Sequence, residues 1–530
     1  MTLQDYLNLR NGTDVRGVAC EGIEGESVTL TEEAVQNIAK AFCVWLISRT
    51  GKTQVTVAVG YDSRITSPTL CDAAVRGITS TGHNAIVTGL SSTPSMFMLL
   101  KDEERNAENY CHGSIMITAS HLPFNRNGMK FFSHSGGLEG VDVKEILNIA
   151  ATYRFAETTE PGERLELPYL DEYAAKLVKK VRDATGEQTP LTGKKIIVDA
   201  GNGAGGFFAD KVLVPLGADV TGSQFLEPDG TFPNHIPNPE NAEAMESICS
   251  AVKATGADFG IIFDTDVDRA GAVDKDGSEI NRNRLIALIS AILLSERAGT
   301  IVTDSVTSDG LAKFITVRGG KHHRFKRGYK NVINEAIRLN ESGEYAPLAI
   351  ETSGHAALLE NYFLDDGAYL IVRLLIAMAN AAKEGKNLTD LISALEMPAE
   401  ARELRCKFLP GVDFKELGKK LINDFACYAG NLYYAIPAGD NHEGFRLRYD
   451  ELHGNGWALM RMSLHDPVLP INVESDTEGD SIKIVKDLYY FLRKYDFLDI
   501  SPIENAITAW RKDKIEDLKI KFAASEKHSN

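Results

Sequence analysis

Apolar and polar positions repeat with two different periods along most of this chain. Between about residues 35 and 400, short apolar runs read as strands: TVAVGYD (56–62), NAIVTGL (84–90), SIMITAS (114–120), KIIVDAG (195–201) and DFGIIFDTD (258–266). Segments with helical spacing, such as 32–47, lie between them. Strands that alternate with helices predict βαβ units and largely parallel sheets, an α/β fold class. Three seams interrupt the pattern: polar, Pro- and Gly-bearing 155–168, the end of an apolar helix near 294–300, and 398–404. They predict four domains at about 1–158, 159–297, 298–398 and 399–530, the last more strand-rich. The final stretch, KDKIEDLKIKFAASEKHSN, reads as a charged helix fraying into a tail.

Composition narrows the class. A chain of 530 residues exceeds the roughly 250–300 that one core supports, so several domains are required. The formal net charge of −17 argues against a nucleic-acid partner, which needs a basic face. Seven scattered cysteines with no CxxC pair predict neither a disulfide framework nor a structural zinc site. The N-terminus has no basic segment followed by an apolar run, and apolar runs such as 285–294 fall short of the roughly 18 residues of a membrane span. No membrane partner and a cytoplasmic location are expected.

Two segments carry candidate chemistry. ITASHLPFNRNGMKFF (117–132) places Ser120 and His121 just past a strand end, with Lys130 downstream. Cationic neighbours suit a serine that bears a phosphate, because charge-assisted hydrogen bonds hold the phosphoryl oxygens. The competing reading is a polar turn, with Asn127-Gly128 as a second turn. GIIFDTDVDRAGAVD (260–274) is an apolar strand ending in Asp264, Asp266, Asp268 and Arg269. Three carboxylates in five residues repel unless a cation neutralises them, and oxygen-only ligands suit a hard ion, magnesium first. An EF-hand is excluded because Arg269 and Lys275 stand where Gly and Glu are needed. An Asp-x-Asp-x-Val phosphatase with Asp264 as nucleophile stays open. Gly201-x-Gly203-x-x-Gly206 matches a dinucleotide fingerprint formally, but reads better as a tight strand-to-helix turn. Polar clusters at 12–17, 60–64, 326–330 and 351–355 each read, alone, as a surface turn.

Taken in order, these segments resemble the α-D-phosphohexomutase family over nearly the whole chain, from about Gly12 to Glu474. TASHLP with NGMK resembles its phosphoserine loop and DTDVDR its magnesium loop. ETSGH (351–355) resembles its sugar-recognition loop, and RMSLHDP (461–467) its C-terminal phosphate loop. The resemblance implies four domains around a central cleft: three of mixed α/β fold and a fourth of TATA-binding-protein-like α+β fold. It implies Ser120 as phosphoryl carrier, Asp264, Asp266 and Asp268 with a phosphoserine oxygen as Mg2+ ligands, and Arg16, His121, Lys130 and Arg269 around the transferring group. Glu351, Ser353, His355 and Lys330 would bind sugar, and Arg461, Ser463 and His465 the distal phosphate. Leu122, Leu464, His465, Asp466 and Pro470 depart from the family pattern.

The implied activity is the interconversion of hexose 1-phosphate and hexose 6-phosphate, mannose or glucose before glucosamine. A bisphosphorylated sugar would be the intermediate, with glucose 1,6-bisphosphate or an equivalent as activator. The protein would act as a monomer or homodimer on a hexose phosphate. Three alternatives remain at this stage: the aspartyl phosphatase, a non-catalytic sugar-phosphate-binding homologue, and a dinucleotide oxidoreductase.

Overall fold

A computed structural model describes residues 1–102, 111–156, 158–463 and 466–512. The chain divides into two compact units, Met1–Glu296 with Pro347–Ser393, and Arg297–Ala346 with Ala394–Asn530. The predicted C-terminal tail from residue 513 onward lies outside the described residues.

The first unit contains an eight-stranded sheet. Its central strands Gly113–Ile117 and Thr56–Tyr61 pair in parallel, and Asn84–Leu90 continues the parallel run. Every residue of Gly113–Ile117 is buried, as expected of a strand covered on both faces. Helices Glu32–Thr50, Ser67–Ser80 and Gly140–Thr152 supply the cover, with Ile38, Phe42, Ile78 and Ile146 joining Val57, Ile115 and Phe131 in one core. A second sheet carries Phe259–Phe263 between Ile196–Asp199, parallel, and Ala270–Asp274, antiparallel. Ile262 of that strand packs with Met245, Ile248 and Val252 of helix Ala242–Thr255. The apolar run 285–294 forms most of helix Asn283–Glu296, buried nearly all round in the core. Among the described residues no helix is long and apolar enough to cross a membrane.

The sheets are mixed rather than largely parallel. Strand Arg126–Ser133 pairs antiparallel with Gly113–Ile117, Ala270–Asp274 with Phe259–Phe263, and Ala356–Leu358 with Leu348–Ile350. The cause is length. The connectors 118–125, 264–269 and 351–355 are too short for the dozen or more residues a parallel crossover needs. The serine loop, the aspartate loop and the 351–355 loop are therefore three hairpin-type connectors. Asn127-Gly128 is not a turn but lies inside strand Arg126–Ser133, where Gly128 faces Arg16 of strand Asp14–Val18. A Cβ at Gly128 would stand 2.1 Å from the Val15 carbonyl oxygen, so only glycine fits.

The glycines of 201–206 serve close approach. A Cβ at Gly203 would stand 2.7 Å from the Thr265 carbonyl oxygen, and one at Gly206 2.2 Å from that of Leu226. The turn packs against the aspartate loop, in agreement with the tight-turn reading.

In the second unit, Thr300–Thr303 and Lys321–Arg324 pair in parallel. Six strands, Ala435–Pro437, Phe445–Tyr449, Gly456–Met460, Val468–Ser475, Glu400–Phe408 and Leu498–Asp499, form an antiparallel sheet in that order. Helices Phe414–Ala429 and Ser481–Leu492 share one face of it, where Phe425 and Phe491 approach to 5.0 Å between ring centres. This strand-rich α+β end is the one expected from the composition shift after 398.

Three phenols converge on one carboxylate in this region. Tyr428 and Tyr434 donate to Asp487 Oδ1 at 2.6 and 3.0 Å, and Tyr449 to Oδ2 at 2.9 Å. The three hydroxyls lose their acceptor together in Asp487→Ala. With each stranded donor costing about 1–3 kcal/mol when fully buried, and these only partly so, we expect a loss of about 2–4 kcal/mol from this unit, read from urea unfolding. Asp487→Asn, which keeps one acceptor oxygen, should recover part of it.

Candidate active site

Ser120 sits one turn past the end of strand Gly113–Ile117, with φ at +50°. That left-handed backbone costs an L-residue roughly 1–2 kcal/mol, and the surroundings must hold it. It aims the hydroxyl at the aspartate loop. Ser120 Oγ lies 3.0 Å from Asp264 Oδ2 and accepts from Arg269 Nη2 at 2.9 Å. His121 Nδ1 stands 3.3 Å from the same oxygen and also accepts from Arg269 Nη2.

Asp264, Asp266 and Asp268 leave strand Phe259–Phe263 together, with one oxygen of each within 4.8 Å of the others and all three side chains buried. Val267, with φ at +66°, bends the loop back so that they converge. Lys130, on the same face of its strand as Gly128, donates to Asp266 Oδ2 at 2.7 Å and Asp268 Oδ2 at 2.5 Å. Thr93, the first residue of helix Thr93–Lys101, donates its hydroxyl to Asp266 Oδ2 at 2.5 Å and its backbone N–H to the Asp266 carbonyl at 2.8 Å.

The cluster is short of cations. Burial pushes the Asp264 carboxyl well above its ordinary 3.8, and Asp268 and Asp266 push it further. Asp266 Oδ1 and Asp268 Oδ1 are buried and, among the described residues, accept no hydrogen bond. Three carboxylates that each bring an oxygen within 4.8 Å of the others, with no nitrogen or sulfur ligand required, fit a hard divalent ion. Lys130 is held protonated: burial opposes its charge, but Asp266 and Asp268 outweigh it and raise its pKa well above 10.5. His121 is neutral instead, driven down to about 2 by burial, then by Arg269 and Arg16.

Arg16 reaches the same pocket from its strand, pairs with Asp14 at 2.6 Å, and leaves Nη1 buried without a hydrogen bond among the described residues. The 351–355 loop is knitted to the aspartate loop by a bridge between Arg269 and His355. Glu351 and Ser353 are buried there, and Ser353 Oγ makes no hydrogen bond among the described residues. His355 Nδ1 meets Asp365 Oδ2 at 2.5 Å and lies 4.0 Å from Asp268 Oδ1. Burial opposes charge on this imidazole, but Asp365 and Asp268 prevail and raise it to about 9.

The structure thus brings Arg16, Ser120, His121, Lys130, Asp264, Asp266, Asp268, Arg269, Glu351, Ser353 and His355 into one unit. Lys330, Arg461 and Ser463 belong to the other. Lys330 lies in the first turn of helix Tyr329–Glu341, and Arg461 is buried just after strand Gly456–Met460. Ser463 Oγ accepts from the backbone N–H of Asp466 at 3.3 Å. Leu464 and His465 lie outside the described residues. Pro470 is buried in strand Val468–Ser475, and its carbonyl accepts from the Arg461 N–H at 3.2 Å.

Sequence reasoning passed over several supporting groups. Asn238 Oδ1 accepts from Arg269 Nη1 at 3.2 Å, Asp365 orients His355, and Thr93 holds Asp266. Arg64, read as part of a surface turn, has a fully buried side chain. Nothing local marks these residues, because each meets its partner only when distant segments close.

Three family models, described as alpha/beta/alpha domains I, II and III of phosphoglucomutase/phosphomannomutase, match residues 9–157, 171–277 and 281–397. A phosphoglucomutase of Neisseria meningitidis serogroup B is 32% identical over 469 residues, 88% of this chain and 92% of that protein. A phosphomannomutase/phosphoglucomutase of Pseudomonas putida is 29% identical over 482 residues, 90% and 93% of the two chains. The crystal structure of a phosphoglucomutase/phosphomannomutase family protein from Burkholderia thailandensis matches with a TM-score of 0.74 at 27% identity, covering 93% of this chain and 98% of that one. With its serine and aspartate loops facing one another as described, the chain belongs to the phosphoglucomutase/phosphomannomutase family, the α-D-phosphohexomutases.

Proposed function

We propose that this protein is a hexose phosphate mutase that interconverts the 1- and 6-phosphates of glucose, mannose or both through phosphorylated Ser120. The observation that carries the reading is Ser120 Oγ at 3.0 Å from Asp264 and 2.9 Å from Arg269, beside three converging carboxylates. Asp264, Asp266 and Asp268 would hold Mg2+ together with a phosphoserine oxygen. When bound, the ion supplies positive charge to the phosphoryl oxygens. Arg269 and Arg16 add guanidinium charge to the same group, in a pocket that burial makes poor in water.

Phosphoryl transfer asks chiefly for positioning and charge neutralisation. The hydroxyl of a bound sugar phosphate forms the new P–O bond as the bond to Ser120 Oγ breaks. As that bond forms the attacking hydroxyl gives up a proton and the released serine oxygen takes one; His121, whose Nδ1 stands 3.3 Å from Ser120 Oγ, and Lys130 are the residues we assign to this exchange. The reverse transfer from the other end of the bisphosphorylated sugar restores phosphoserine. Glu351, Ser353 and His355 present a carboxylate, a hydroxyl and a charged imidazole suited to sugar hydroxyls, and Lys330 of the other unit is a further candidate for binding sugar. Arg461, Ser463 and His465 would hold the distal phosphate. The division into domains at 1–158, 159–297, 298–398 and 399–530 belongs to this reading.

The test is direct. The protein is incubated with glucose 1-phosphate or mannose 1-phosphate, glucose 1,6-bisphosphate and Mg2+. The corresponding 6-phosphate should accumulate, and omission of the bisphosphate should leave a lag or a lower rate. Release of inorganic phosphate with no 6-phosphate would replace this reading with the aspartyl phosphatase.

A further inference from the structure

The serine loop is wrapped around one guanidinium. Arg64 follows strand Thr56–Tyr61, and its side chain is 0% exposed. Nη1 donates to the carbonyls of Pro123 and Arg126 at 2.8 and 2.9 Å. Nη2 donates to the carbonyl of Leu122 at 2.6 Å and to that of Ser120 itself. Nε faces Asp62 Oδ2 at 3.4 Å, and the Arg64 backbone N–H donates to Asp62 Oδ1 at 3.0 Å. The ring of Phe232 stacks over the guanidinium at 5.1 Å. Behind it, Gly230 presses on the Arg64 backbone so closely that a Cβ there would stand 2.3 Å from Ile65 N.

Both amino groups of Arg64 are spent on four loop carbonyls. Removing the donor from a buried acceptor costs roughly 1–3 kcal/mol, and the Ser120 carbonyl is the buried one of the four, whereas that of Pro123 also accepts from the Arg126 N–H at 3.0 Å. Burial lowers the Arg64 pKa to about 10, with Asp62 acting in the opposite direction, so the charge persists at neutral pH. We infer that Arg64 is a positioning residue for phosphoryl transfer: by gathering the carbonyls of residues 120, 122, 123 and 126 it sets the left-handed backbone of Ser120 and hence the direction of its hydroxyl. It touches neither the hydroxyl nor the acidic cluster. Its loss misdirects the serine while leaving the carboxylates and the sugar-binding loop in place. A lysine brings three donors on one nitrogen and cannot span four carbonyls.

This inference rests on the phosphoserine reading, and the experiment separates the two. Wild-type, Arg64→Ala and Arg64→Lys are treated with glucose 1,6-bisphosphate and followed by intact mass, then assayed for turnover. Lysine keeps the charge and most of the buried stem, so Arg64→Lys reports even if the alanine variant does not fold. Misplacement of a reacting atom by about 1 Å costs on the order of 100-fold. We expect kcat to fall by about that factor in both variants, KM and the Mg2+ dissociation constant to stay within about threefold, and phosphate to load onto Ser120 correspondingly slowly. Guanidinium chloride at low concentration should restore about tenfold of the lost rate to Arg64→Ala and none to Arg64→Lys. A merely structural role would change the unfolding midpoint without this split or rescue. Wild-type protein that never carries phosphate on Ser120 would sink the phosphoserine reading and this inference with it. Wild-type that does carry it, beside variants that load and turn over at its rate, or that lose only KM, would overturn the role of Arg64 alone.

Discussion

Ser120→Ala is expected to stop turnover while leaving the protein folded. The hydroxyl is the group we propose to bear phosphate, and loss of an enzymatic nucleophile lowers kcat on the order of 10^4-fold or more. The fold should tolerate the change. Alanine occupies the same left-handed backbone at about the same cost as serine, and Arg269 still pairs with Asp264 at 3.1 Å after the hydroxyl is gone. The intact mass of wild-type should rise by one phosphate on treatment with glucose 1,6-bisphosphate, and that of the variant should not. Substrate binding, measured by thermal shift with glucose 1-phosphate, should survive within about threefold, since a group used chiefly in the transition state contributes little to the ground state. Retention of even about a hundredth of wild-type turnover would rule out Ser120 as the carrier, because no other hydroxyl could substitute that well.

The parts of this machine that the sequence made readable are those whose chemistry is local. Clustered aspartates after an all-buried strand stand out by their own repulsion, and Ser120 beside His121 and ahead of Lys130 stands out at a strand end; the structure brings both segments together. The strand runs were readable for the same reason, since FGIIF is buried along its whole length. What stayed hidden depends on closure of the chain. Arg64 meets Leu122 across 58 residues and Thr93 meets Asp266 across 173. In sequence, YDSR looks like any polar strand end, and the four carbonyls that make Arg64 necessary have no signature at all. Sheet direction was hidden too. A six-residue aspartate loop fixes an antiparallel return, but only once both of its flanks are known to be strands. The bridge between Arg269 and His355 likewise joins two loops that read as unrelated.

Asp264→Asn is expected to separate stability from activity. Without a divalent ion the three carboxylates face the charges of Lys130 and Arg269, which leaves one negative charge uncompensated in a buried pocket. The Asp264 carboxyl is raised well above 3.8 mainly by burial, so its ionised form is less stable folded than unfolded. The sign follows. This group favours the folded state when protonated, and the metal-free protein should lose stability as pH rises from about 4 toward the raised value. Asparagine cannot ionise, so Asp264→Asn measured in EDTA should show a shallower decline over that window and a neutral-pH unfolding midpoint no lower than wild-type. Mg2+ should reverse the order. At about 100 times its dissociation constant it stabilises wild-type by about 2.7 kcal/mol, and it should do little for the variant, whose third carboxylate is gone. Turnover should fall together with that metal-induced shift. The orphaned oxygens of Asp266 and Asp268 give the reason: they are held apart from hydrogen-bond donors by the same fold that brings Ser120 Oγ to Asp264. A wild-type protein whose midpoint ignores Mg2+, or an Asp264→Asn variant that is both less stable in EDTA and fully responsive to the ion, would show that the three carboxylates are a structural ion-pair network centred on Lys130 and not a cation site.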